Sequence, residues 1–277
     1  MAAAPTLWFA NADLVAASRL ERCDWQSSVE LGVRCSLPHT YVMGDVLQLL
    51  VVQGFACEEI DGDVDTALIS WAAALRAAEH LASGGTFVES RIAMRWAQRI
   101  VAIVEQRIDF EDVSAESLTD WSHALGRFDA EDPFGTLLAI ERAVEWGVRI
   151  SALDVLEAER IEQNGLVGYS FDDTPVLPRS DAEAEKLRRL TIAARPWKAA
   201  MREAWLRPSG DLGDDHAAAE RAAGFVNAVT AEARSGEFGD AGRLMLVNDY
   251  GAVRSEELRA TRSIGRARAA VRKARAE

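Results

Sequence analysis

Three short stretches carry residue types that bind metals or move protons. Asp61-Gly-Asp63-Val-Asp65 spaces oxygens at alternate positions, as a calcium loop does so that they converge on one ion. Such a loop then needs Gly at its sixth position and a bidentate Glu at its twelfth. Thr66 and Ala72 stand there, so helix capping is the expected work of these acids. Cys35-Ser-Leu-Pro-His39 offers two zinc-ligand types, but Cys23, Cys57 or a distant histidine would have to complete a set of four. Asp120-Trp-Ser-His123 sets a carboxylate and an imidazole three apart on one helix. A di-metal bundle site draws Glu-x-x-His elements from several helices, and the chain has none. His80 and His123 fall in helical patterns, where a surface role is expected. Nucleophile elbows, phosphate loops and dinucleotide fingerprints are missing. No catalytic residue, metal or cofactor is therefore expected, although a helical enzyme can assemble carboxylates from distant positions without a local motif.

The C-terminal stretch carries the functional signal that has a mechanism. Between Arg254 and Glu277 eight basic residues face three acids, a local charge of +5, whereas the whole chain is −13 and residues 1–253 therefore −18. Ala260, Ile264, Ala267, Val271 and Ala274 recur at four, three, four and three, the narrow seam of a docking helix. Arg259, Arg262, Arg266 and Lys273 lie opposite, with Arg268, Arg272 and Arg275 flanking. Three uses fit this helix: pairing of its arginines with the acidic body, docking of the seam on another subunit, or contact with nucleic-acid phosphates. No aromatic residue is interleaved to stack on bases. The seam is too poor in large side chains for a strong membrane anchor.

These residues need helices to position them, and the chain supplies helix signals almost throughout. It has 277 residues, 49% hydrophobic and 27% charged, the profile of a globular protein. Three cysteines without a CxxC pair fit a reducing interior better than a disulfide framework. The N-terminus does not read as a signal peptide, and the most apolar window, 46–52, is far shorter than a membrane span.

Trp71, Trp96, Trp121 and Trp146 recur every 25 residues, each followed by a small residue and, four places on, by an aliphatic one. This spacing predicts four helices with apolar stripes: Asp63 or Asp65 to Ser83, a capping box at Thr86 and Glu89 running to Ile108, Ser114 or Ser117 to Arg127, and one capped by Asp132 before Pro133. The stripes suit either a helical-repeat array or a compact bundle. Residues 1–62 are mixed short helix and loop, with a helix after Asn11, a loop or short strand over 31–43, and a helix over 45–53 closed by Gly54. Residues 165–179 read as a linker. Residues 180–277 form a second helical block, in which a helix capped by Ser180 should kink or end at Arg195-Pro196.

The expectation is an all-α protein: a Trp-striped block over 63–164, the linker, and a second block ending in the basic amphipathic helix. The expected function is a non-catalytic structural or adaptor subunit, cytoplasmic or within an intracellularly assembled particle. It would contact other protein subunits, as a homo- or hetero-oligomer, and no membrane. The alternatives are a nucleic-acid-associated subunit of a ribonucleoprotein or DNA-packaging complex, using the C-terminal helix, and a helical enzyme with a non-local carboxylate site.

Overall fold

The computed structural model describes residues 12–21, 23, 37–153, 178, 180–208, 215–239 and 249–275. Among them the fold is all-α, without a strand. The helices are α1 (12–18), α2 (Pro38–Ala56), α3 (Val64–Ala82), α4 (Phe87–Arg107), α5 (Ala115–Gly126), α6 (Thr136–Leu153), α7 (Asp181–Leu206), α8 (Asp215–Ser235) and α9 (Tyr250–Ala274). The chain divides into two compact units. The first comprises Met1–Trp25, Leu37–Thr136 and Glu257–Glu277, and the second Gln26–Ser36 and Leu137–Glu256. The Trp-striped helices are thus shared out, with Trp71, Trp96 and Trp121 in the first unit and Trp146 in the second. The linker expected at 165–179 lies outside the described residues apart from Pro178.

In the first unit α3 is the central element. Its alanine run, with Leu68, Trp71, Leu75 and Leu81, is buried, and α2, α4 and α5 pack around it. Small side chains let neighbouring backbones approach, and the large ones fill what remains. The caps expected from sequence close these helices. The Asp63 carboxylate accepts the Thr66 amide at 2.9 Å, Thr86 and Glu89 satisfy each other's amides, and Ser114 accepts the Ser117 amide at 3.2 Å.

Four local expectations are corrected. Residues 38–43 are neither loop nor strand: Pro38 sits in the first turn, where its missing N–H costs nothing, and α2 runs on to Ala56. Gly54 does not cap that helix. A Cβ there would lie 2.2 Å from the Trp71 indole nitrogen, which donates to the Val51 carbonyl at 3.2 Å, so glycine lets the indole lie against the α2 backbone. The helix after Asp132 starts only at Thr136, because a turn over 132–135 buries Phe134 and puts Gly135 at φ 62°. Finally, of the kink or end expected at Arg195-Pro196, the end does not occur in α7. It continues to Leu206, burying Trp197, Met201 and Trp205 beyond the proline, and that apolar burial offsets the lost backbone bond.

The tryptophan stripe also shifts. Trp71 and Trp121 are fully buried, but α4 faces the core with Ala93, Met94, Ala97, Ile100, Val101 and Val104. Trp96 is half-exposed, and the Arg99 guanidinium lies 5.2 Å from its ring. Opposite an alanine-rich α3, the close-packing face is the one with small residues, and the indole sits at its edge.

In the second unit α7 packs against α8, whose buried face is Ala218, Ala219, Ala222, Val226, Val229 and Ala233. Trp197 meets Tyr250 with ring centroids 6.3 Å apart, and Arg254 lies over Trp205. Lys198–Glu145 and Arg202–Glu141 pair α7 with α6.

Candidate functional site

A charged residue in an alanine-rich buried helix must be paired or it destabilises the fold. Arg76 is such a residue, 3% exposed on α3. Its guanidinium forks onto both Asp120 oxygens of α5, at 3.1 and 3.2 Å, and its Nε donates to the Ser18 hydroxyl at 3.2 Å. Asp65, at the start of α3, accepts the backbone amide of Ser114, the residue that caps α5. The two helices therefore run parallel, and their C-terminal ends come together.

An open cleft of about 530 Å³ lies there, lined by Arg19, Glu21, Arg76, Glu79, Asp120, His123 and Arg127. Arg127, just beyond α5, pairs with Glu79 at 2.7 Å. Its two Nη groups donate to the carbonyls of Leu20 and Glu21 at 3.1 and 3.2 Å, with a longer 3.5 Å contact to Ser18. The His80 Nε2–H donates to the Ser18 carbonyl at 3.1 Å. Arg19 reaches Asp120 at 3.5 Å. The ends of α1, α3 and α5 all meet here. Helix C-termini carry exposed carbonyls and partial negative charge, which accounts for the three arginines.

Burial sets the electrostatics. It pulls the Arg76 pKa down, against the Asp120 carboxylate, and pushes Glu79 up, against Arg127. It also pulls His80 down, helped by the positive charges of Arg127 and Arg76. A concave site with perturbed acids is where catalysis is looked for. Here, however, Asp120 and Glu79 each face a guanidinium, and the donors of Arg76 and Arg127 end on protein oxygens. The arrangement clamps the 12–21 segment to α3 and α5.

The motifs singled out from sequence are dispersed. Asp63 caps α3 and Asp65 binds Ser114, so the alternating acids serve helix ends. His39 Nε2 lies 2.6 Å from the buried Glu89 carboxylate, while Cys35 lies outside the described residues. Asp120 turns to Arg76, with His123 exposed at the cleft rim. Among the described residues, no group of three His, Cys, Asp or Glu side chains is placed to hold a metal.

On α9 the seam residues Ala260, Ile264, Ala267 and Val271 are buried within the first unit, and Ala274 is half-buried. Arg268 donates to the Leu125 carbonyl and to Asp129, the latter at 2.7 Å. Arg275 donates to Thr119, so α9 runs antiparallel to α5. Arg266 holds down the pKa of Glu105, which burial raises. Arg259, Arg266, Arg272, Lys273 and Arg275 are exposed, and Arg262 and Arg268 half-buried.

The cleft set was missed in the sequence, except for Asp120 and His123, which were read for other roles; His80, expected at the surface, is instead buried at 5% exposure, its ring held against the Ser18 carbonyl. The signal was Arg76, the first charge after Asp65 and set within the alanine-rich run 72–78 of α3. Comparison with protein-family models, with curated proteins and with solved structures gave no match to the chain, so its function is argued from its own geometry.

Proposed function

We propose that this chain is a non-catalytic structural or adaptor subunit that works through protein–protein contacts in a larger assembly. One observation carries this reading. Helix α2 carries large apolar side chains on both faces: it buries Leu47, Leu50 and Val51, yet leaves Tyr41 81%, Val42 61% and Val52 54% exposed, with Ile60 80% exposed in the π-helical turn that continues it. Between Pro38 and Cys57 the only formal charge on the helix, with histidine neutral, is Asp45. Several large apolar side chains left exposed along one helix support a contact site in a chain otherwise rich in charge.

By length and composition alone, His39–Asp61 could also cross a bilayer, at a mean hydropathy of 1.3. Protein remains the better partner. The helix packs along α3 on one side, and its outer stripe includes Asp45 and Gln48, polar groups that a protein surface can satisfy and hydrocarbon cannot. A cytoplasmic setting is part of the same proposal.

Sedimentation of the full chain and of the Tyr41→Glu/Val52→Glu variant tests it. The full chain, alone or with its native partners, should sediment as an assembly that the variant fails to join. Identical sedimentation of both would overturn the reading.

A second reading has its own support, in the exposed Arg259, Arg266, Arg272 and Lys273 of α9. If these contact nucleic-acid phosphates, affinity should fall steeply as salt rises. Binding that is absent at low salt would remove that reading.

A further inference from the structure

The segment 12–21 lies on the first unit in an unusual way. Ser18 is its one buried side chain; Leu14 and Val15 are half-buried, and Leu20 is 61% exposed. Its hold is polar. Donors from three side chains, Arg76 Nε, His80 Nε2 and Arg127 Nη1 and Nη2, end on oxygens of Ser18, Leu20 and Glu21. Three of the four acceptors are backbone carbonyls at the end of α1. The donors belong to α3 and the end of α5, not to the segment itself.

Their charge says what else could fill them. Asp120 already neutralises Arg76, and Glu79 neutralises Arg127. A free anion would therefore meet a site with no net positive charge, beside the carbonyl ends of two helices. Neutral carbonyl oxygens at the end of a helix, with one hydroxyl set to reach Arg76, match it better. The sequence that provides this pattern is the segment itself, and every copy of the chain carries one.

We propose that the 12–21 segment is an exchangeable strap, whose place on α3 and α5 is taken by the same strap of a second copy, joining two chains. The inference rests on the protein–protein reading above and names the partner. Exchange of an identical element creates no new contact type, so its cost lies in releasing a strap that has no deep apolar anchor.

The test uses the full chain and a fluorescent peptide of residues 12–23 as the second strap. The peptide should bind saturably in an anisotropy titration. Amide hydrogen exchange of the chain's own 12–21 residues should rise at the same time, while that of α3 stays unchanged. A Ser18→Ala peptide, which leaves Arg76 Nε without its acceptor, should bind about tenfold more weakly or worse. The Arg127→Gln chain should lose the peptide while α3 keeps its protection. If that variant fails to fold, the Ser18→Ala peptide on the unaltered chain still decides. No saturable binding up to millimolar peptide, or equal binding of the two peptides, would overturn strap exchange. An assembly that forms through Tyr41 and Val52 would survive that result, so the two proposals fail separately.

Discussion

Replacing Asp120 by Asn keeps the shape of the side chain and removes its charge. Arg76 would then be a guanidinium 3% exposed to solvent, facing an amide that can accept from it but cannot neutralise it. Arg19 and Arg127, which already work against the charge on Arg76, would repel it without opposition. Uncoupling one partner of a buried ion pair costs about 3–5 kcal/mol, because the remaining charge stays desolvated. That is about a fifth or more of the stability of an ordinary domain. For a unit of this size it should lower the melting temperature by about 6–20 °C, followed by circular dichroism at 222 nm. The Arg76→Leu/Asp120→Leu double variant removes both charges and should recover most of the loss, so the double-mutant cycle should show strong coupling. A melting temperature for Asp120→Asn within about 2 °C of the parent would refute the reasoning, because it would mean that water screens the pair.

Three further outcomes follow from the packing. Gly54→Ala puts a methyl group into the Trp71 indole and should destabilise by about 1–3 kcal/mol with a changed near-ultraviolet tryptophan spectrum. Gly44→Ala on the same helix meets open space and should be neutral or stabilising by up to about 1 kcal/mol. His80 is held neutral by burial, so its contribution is complete above the ordinary histidine pKa of 6.5 and is lost as pH falls below it. Glu79, raised by burial, works in the opposite direction just above the ordinary 4.5, where protonation relieves its desolvation. Melting temperature should therefore fall between about pH 7 and 5.5, and His80→Gln should flatten that slope. Val271→Asp buries a charge in the α9 seam and should unfold the first unit by about 3 kcal/mol or more, whereas Arg272→Glu/Lys273→Glu, on the exposed side, should shift it by less than about 1 kcal/mol in chemical denaturation.

What could be read in the sequence was local. Asp63, Thr86 with Glu89, Ser114 and Ser180 each satisfy amides a few residues away, so their caps follow from the chain itself. The all-α class followed from the same signals. The rest depends on partners far along the chain. Gly54 looked like a helix stop because the indole that needs it arrives seventeen residues later. The face of α4 was set by the alanines of α3, which moved Trp96 off the core. Pro196 looked like a helix end because the burial of Trp197 and Trp205 outweighs a local penalty that spacing alone displays. The cleft drew its residues from three helices, and no short motif could announce it. Arg76 alone was out of place among alanines, and its partner was not deducible from spacing.

The first unit also has a timing problem. Its main stretch ends at Thr136, yet Glu257–Glu277 belongs to it and buries Ala260, Ile264, Ala267 and Val271 there. About 120 residues of other chain are made in between, which at 5–20 residues per second takes roughly 6–24 s. Throughout that interval a growing chain holds α3, α4 and α5 with the apolar surface meant for α9 still open to water. Helices form and collapse far faster than this, so the nascent unit waits half-covered on the ribosome. Its yield in a cell should therefore depend on translation speed and on chaperones that shield such surfaces, more than the equilibrium stability of the finished fold would suggest.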